Sequence, residues 1–446
     1  MNVCKTTLSL FLLLALHPRP GMADTWPDWR GPHRDGIWRE SGLITSFPPD
    51  GLKRAWTAEI GAGYCGPTVT NDFVYLMDRG VDPTKEEERV LCFDRHAGTL
   101  IWAFSYPCIY EDVAYDLGPR ASVIVKDGVA YSLGTMGHLF AFDAAEGRLI
   151  WKRQLREDFG AEIPTWGVSA APLVLQGKVI VQSGGSDSPL LLALDAAKGT
   201  ELWRGPIDKM TYSAPVVPPI DPDQVLVWTD SRLTSLDIET GKELWSFRAP
   251  KEKSFAARVQ SPVFHESGNA FLLSDFNEGT WRFDRPADEP YGWSLTWHVR
   301  GKNERNTEGL HSLLGSPVWI DEHFYGVDAY GRFRALRAED SSRVWETDAV
   351  VPESRWATAF AIRQGESRNL VWIGNELGEL ILTDLTPQGY HEIDRTLLIE
   401  PTQEVRQRDH LIVWSHPAFA HRHIYARNDK ELIAVSLAAE GPNGPN

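Results

Sequence analysis

Four segments of the chain share one spacing, Asp-x3-Gly-x3-Trp: Asp94/Gly98/Trp102, Asp143/Gly147/Trp151, Asp195/Gly199/Trp203 and Asp237/Gly241/Trp245. An apolar run leads into each aspartate, as in Leu191-Leu192-Ala193-Leu194. The residue types follow from turn physics. Aspartate at the first turn position can bond backbone two residues on, and glycine supplies the positive φ that a tight hairpin needs. Each copy therefore reads as strand, turn and second strand, with a tryptophan offering a flat apolar face to a neighbouring unit. A single hairpin of this kind constrains little. Four at one spacing indicate a tandem array.

A second landmark, a small residue followed by proline, opens a β-prone run in each unit. It stands at Gly66-Pro67, Ala171-Pro172, Ala214-Pro215, Ser261-Pro262 and Ser316-Pro317, with His416-Pro417 as a variant and looser versions near Ser122 and Ala359. Three strands and then the tryptophan strand make a unit of about 42 to 58 residues, the size of a propeller blade, and no 3.6-residue periodicity supports helical repeats. Later units degrade. The fifth stretches its turn (Asp284, Gly292, Trp297), the sixth has Arg337 and Ser341 before Trp345, and the seventh has Asp384 and Gly389 with Ile393 in place of tryptophan. The last unit ends at Ala434-Val435-Ser436 with no strand after it, while Lys53–Thr57 is a tryptophan strand with no turn before it. Pairing the two closes a ring and removes the open sheet edge. The expected fold is all-β: an eight-bladed β-propeller of four-stranded blades, closed by the Trp56 strand joining the last blade.

The expected organisation is a signal peptide over 1–23, an extended segment over 24–52, a single propeller over 53–438 and a flexible tail over 439–446. Lys5, the apolar run Thr6 to Leu16 and the small residues Gly21-Met22-Ala23 make the leader, with cleavage near Ala23; an uncleaved anchor is the alternative. No later run approaches the apolar length of a membrane span. The expectation is an exported monomer of the periplasm or exterior, with no integral membrane segment in the mature chain. The chain holds 45 Lys+Arg and 61 Asp+Glu, a net charge of −16. Cleavage removes Lys5 and Arg19 and no acid, making it more acidic still, which argues against nucleic acid or anionic lipid as partner. Cys65, Cys92 and Cys108 would remain, an odd number with no metal-type spacing, read as buried free thiols or at most one bridge.

The repeat resembles the pyrroloquinoline-quinone (PQQ) type propeller repeat, shared by quinoprotein dehydrogenases and by the propeller lipoprotein of the outer-membrane β-barrel assembly machinery. More closely, the chain is similar to a group of exported PQQ-like propellers, through WPDWRGPHRDG (26–36), YDLGPRASV (115–123), TMGHLFAFDA (135–144), TWGVSAAPLV (165–174) and LTPQGYHEI (385–393). The resemblance implies a fold and not one activity. In the dehydrogenases it would imply PQQ on the axis, a calcium ion as Lewis acid and an aspartate base. This chain has no vicinal cysteine pair, and the calcium ligands cannot be placed by motif. It also lacks a lipid-attachment cysteine after the leader. The reading is a non-catalytic envelope scaffold with no cofactor and no metal, binding a protein partner or a small-molecule ligand. A PQQ- and calcium-dependent dehydrogenase is the alternative.

Residues just ahead of the small-Pro landmark enter the innermost strands and should ring one mouth of the axial channel. They are Tyr64, Arg120, Trp166, Tyr212, Arg258, His311, Trp356 and Trp414. Aromatics with two arginines and a histidine suit a planar or anionic ligand, or equally the packing of a filled axis. No catalytic residue is assigned. His421-Arg422-His423 and Asp221-Pro222-Asp223 read as turns, and Lys85–Arg89 as an exposed loop with paired charges.

Overall fold

In the computed structural model, which describes residues 24–82, 84–249, 257–289, 291–365, 367–406 and 408–439, the repeats are the blades of an eight-bladed β-propeller. Blade three shows the pattern. Its strands Leu173–Leu175, Lys178–Gln182, Leu191–Asp195 and Glu201–Arg204 pair antiparallel in sequence order. The second strand is buried along its whole length, because neighbouring blades cover both of its faces. That explains why Val179-Ile180-Val181 is continuously apolar where a half-solvated strand would alternate. The outermost strand buries Trp203 alone.

The repeated motif is a latch between blades. In the turn after Asp94, Oδ1 accepts the N–H groups of His96 at 2.9 Å and Ala97 at 2.7 Å. Gly98 closes the turn with φ +69° and donates its N–H to the Asp94 carbonyl at 2.9 Å. The absent side chain leaves room for the preceding blade's tryptophan: a Cβ on Gly98 would stand 2.6 Å from the Trp56 ring. The indole lies over the glycine, and its Nε1 donates to the carbonyl that follows the aspartate. Trp56 reaches Arg95 at 2.7 Å, Trp102 reaches Ala144 at 2.9 Å, Trp151 reaches Ala196 at 2.9 Å and Trp203 reaches Ile238 at 3.0 Å.

Degraded units keep parts of this device. Trp297 donates to Ala338 at 3.0 Å and Trp345 to Thr386 at 2.8 Å, although Ser341 fills the glycine position of blade six at φ +61°. Between blades four and five, Trp245 instead meets Phe283 edge-on at 6.2 Å. Blade four reduces its innermost strand to the single bridge Val216↔Leu226; Pro218 and Pro219 follow and bring no backbone donor to extend it.

Blade eight closes the ring as expected: Arg54–Glu59 pairs antiparallel with Glu431–Ser436, Trp56 opposite Ala434, and Arg54 holds Glu431 in a bidentate ion pair at 2.7 and 2.9 Å. Where blade seven lacks its tryptophan, the N-terminal segment supplies one. Ile37–Trp38 pairs parallel with Arg363 and Gln364, and Trp38 wedges between Trp372 of blade seven (5.9 Å) and Phe419 of blade eight (5.2 Å). Cys65, Cys92 and Cys108 are buried free thiols. His421 and Arg422 form a two-residue turn with φ +54° and +55°. Among the described residues no helix is long and apolar enough to cross a membrane.

Candidate axial binding site

The innermost strands converge on an axial cavity of about 1040 Å³ of atom-free space, counted out to solvent. One register rule governs its wall. The residue two positions ahead of each blade's small residue faces the cavity: Tyr64, Arg120, Ser169 and Tyr212 in blades one to four, Val259 and Leu314 in blades five and six, and Trp414 in blade eight. In blade seven the position shifts by one to Trp356, which has φ +65°. Trp166 enters from the loop ahead of blade three, and Tyr115 from the long connection between blades one and two.

Six of the eight residues singled out by sequence therefore line the cavity: Tyr64, Arg120, Trp166, Tyr212, Trp356 and Trp414. Arg258 and His311 do not: in blades five and six the position two ahead of the landmark, which faces the cavity, belongs to Val259 and Leu314. Arg258 has φ +49°, donates its backbone N–H to Asp275 at 2.8 Å, and turns into the seam over Trp228 (4.5 Å) and Trp281 (5.6 Å). His311 is buried, with Nδ1 2.8 Å from the Phe276 carbonyl; burial lowers its pKa and keeps it neutral.

Tyr115 occupies the centre of the mouth. Its ring lies 5.6 Å from Trp414, 5.9 Å from Trp356 and 6.5 Å from Trp166. Trp166 in turn packs on Tyr212 at 4.9 Å with the rings tilted by 30°, and the Tyr212 hydroxyl accepts the Trp166 backbone N–H at 3.1 Å. Tyr115 holds this place with φ +58° because Arg120 clamps its loop. The guanidinium donates to the carbonyls of Ala114 (3.0 Å), Tyr115 and Gly118, and to Thr135 Oγ1 (3.3 Å). Burial lowers the Arg120 pKa, yet among the described residues no carboxylate pairs with it directly; it lies over Tyr64 at 5.1 Å. Behind the girdle, Glu376 accepts from Trp414 Nε1 (3.4 Å), Thr358 N (2.9 Å) and Arg408 Nη2 (3.2 Å). Burial foremost raises its pKa, against the pull of Arg408.

The opposite end belongs to the N-terminal segment. Trp29 lines the cavity there, and the backbone around it is pinned to several blades. Trp26 bridges Val69, the Pro27 carbonyl accepts from Val125 N at 2.9 Å, and Arg34 donates to the carbonyls of Pro215 (2.8 Å) and Pro172 while pairing with Asp28 at 2.7 Å. Sequence reasoning missed this strap and Tyr115, although 26–36 and 115–123 were both distinctive stretches. Neither segment carries a landmark, so the blade register says nothing about them.

His416, Ser122 and Gln260 are committed to structure. His416 Nε2 lies 3.1 Å from Ser122 Oγ, and burial pulls its pKa down to about 4, so the ring is neutral. Gln260 donates to Leu313 (2.8 Å) and Gly315 (3.1 Å) and accepts from Ser316 Oγ (2.7 Å). Among the described residues no carboxylate lines the cavity, and no group of three or more His, Cys, Asp or Glu is placed to hold a metal ion. This donor set does not fit PQQ with calcium. The quinone brings three carboxylates to a wall whose one cation among the described residues, Arg120, is engaged by backbone carbonyls, and calcium takes six to eight oxygen ligands.

A family model described as "Outer membrane protein assembly factor BamB" matches residues 86–347, more than half of the chain. Quinohemoprotein alcohol dehydrogenase ADH-IIG of Pseudomonas putida is 32% identical over 168 residues, covering 34% of this chain and 22% of that protein. Outer membrane protein assembly factor BamB of Shewanella oneidensis is 28% identical over 197 residues, covering 42% and 47%. The chain thus spans less than half the length of either relative. Among solved structures, BamB from Moraxella catarrhalis superposes with a TM-score of 0.58 at 15% identity, covering 86% of this chain and 99% of that one, a likeness of fold.

Proposed function

The chain belongs to the PQQ-repeat propeller family described as outer membrane protein assembly factor BamB, and on that premise we propose that it is a non-catalytic, exported scaffold whose axial aromatic mouth recognises an envelope protein or a small ligand. The observation that carries this is the composition of the mouth. Tyr115 and three tryptophans converge there, and the neighbouring cation is engaged in ordering the Tyr115 loop. Tyrosine and tryptophan give large contact area for little lost rotamer freedom, and they dominate the energetic centres of protein interfaces. Among the described residues the wall offers no carboxylate to act as a base. The leader-like N-terminus and acidic surface support an exported protein. The relation to quinohemoprotein alcohol dehydrogenases keeps one second reading, a PQQ enzyme, which the donor set of the cavity opposes.

The test is photo-crosslinking from the mouth in expressing cells. A photoreactive residue at Asp116, exposed beside Tyr115, should capture a discrete adduct that the same residue at Leu202 on the outer rim does not. Trp356→Ala with Trp414→Ala should abolish that adduct without unfolding the protein. In parallel, titration with PQQ and Ca²⁺ should give no heat and no dye-linked alcohol oxidation. Binding with dye reduction would replace the scaffold reading with the dehydrogenase one.

A further inference from the structure

Glu40 is a buried carboxylate, 6% exposed, at the junction of three separate segments. Its Oε2 accepts from Trp38 Nε1 at 2.7 Å and from the backbone N–H of Arg422, in blade eight, at 2.6 Å. Its Oε1 accepts from the backbone nitrogen of Asp24 at 3.1 Å. All three donors are neutral, and among the described residues no Lys, Arg or His nitrogen comes within 4.0 Å of the carboxylate. A carboxylate removed from water calls for a positive charge as well as donors. One of the three donors can acquire that charge. A peptide nitrogen becomes an ammonium when the bond before it is cut, and Asp24 directly follows the small residues of the leader.

We propose that Asp24 is the first residue of the mature protein and that its α-ammonium is the counter-ion of Glu40. In the step that creates it, a signal-peptide-cleaving protease adds water across the Ala23–Asp24 peptide bond. The carbonyl carbon of Ala23 takes the oxygen and leaves as a carboxylate. The nitrogen of Asp24 keeps its proton, takes both protons of the water in the net reaction and becomes the ammonium. Asp24 is held in position independently of that cut. Its Oδ2 accepts from Arg39 N at 3.0 Å, and its carbonyl accepts from His421 N at 3.1 Å. Because Glu40 also fixes the indole of Trp38, the wedge between blades seven and eight, processing strengthens a seam whose own blade supplies no tryptophan.

Two measurements test this. The intact mass of the protein recovered from the envelope should correspond to a chain starting at Asp24; a different first residue overturns the proposal. Thermal midpoints should then be compared for the mature chain, the same chain with one glycine ahead of Asp24, Glu40→Gln, and the combination. The added glycine moves the ammonium away and should lower the midpoint by about 2 °C or more. It should cost little further in the Glu40→Gln background, since the two changes remove one interaction. An unchanged midpoint with the added glycine, or fully additive losses, overturns the pair. If Glu40→Gln does not fold, the glycine comparison and α-amine acetylation of the folded mature protein still decide, because acetylation removes the charge and leaves the chain start in place.

Discussion

Ser341 stands where four other blades have glycine, and it bears the costs of a side chain there. Its φ is +61°, and its hydroxyl is buried without a hydrogen-bond partner among the described residues. A non-glycine residue in the left-handed region costs about 1–3 kcal/mol, and an unsatisfied buried hydroxyl adds to that. Ser341→Gly should therefore stabilise the protein by about 1 kcal/mol, read as a rise in the urea midpoint at unchanged slope; a loss would mean that the hydroxyl has a role at this turn. His416 gives a residue-level prediction of opposite kind. Its folded pKa of about 4 lies below the ordinary histidine value, so the unfolded chain binds the proton first. Stability is then complete above about pH 6.5 and falls as the pH drops towards 4. His416→Gln should remove up to about 1.4 kcal/mol per pH unit of slope in that window, the value for one proton. Denaturation midpoints taken across the window read this directly.

Among the elements, the tryptophan latch sets which seams are strong. Trp151 has both the glycine beneath its ring and a carbonyl for its Nε1. For Trp245 no such acceptor is present among the described residues, and its contact is edge-on to Phe283. Trp151→Phe should cost about 1 kcal/mol more than Trp245→Phe, the value of one hydrogen bond, measured by chemical denaturation of the two variants. This latch was legible from sequence because its parts are local: aspartate, glycine and tryptophan are fixed by the hydrogen bonding and sterics of one turn. The wall of the cavity was half legible. The register rule holds in seven blades, yet Arg258 and His311 fall outside it by one and three residues, an offset that residue types do not reveal. Tyr115 and Trp29 arrive on connections with no period at all. Their places are set by Arg120 and Arg34 binding backbone carbonyls, which no pattern in the chain announces.

At the scale of the molecule, the last blade is built from both ends of the chain. Removing the strand Glu431–Ser436 would leave Arg54–Glu59 without its partner and open two sheet edges. A chain ending after Arg427 should run as aggregates in size-exclusion chromatography, where the intact chain should elute free of them.

The same closure has a consequence in time. Arg54 and Glu431, joined in the finished ring, are 377 positions apart. Contacts of such separation form late, since loop-closure entropy is lost before they repay it. Whichever machinery delivers this chain, N-terminus first, must release nearly all of it before the Trp56 strand can find its partner. Until then that strand waits unpaired, as does Ile37–Trp38 for Arg363 and Gln364, so a chaperone guarding the unfinished ring would have to shield the N-terminal stretch that carries both.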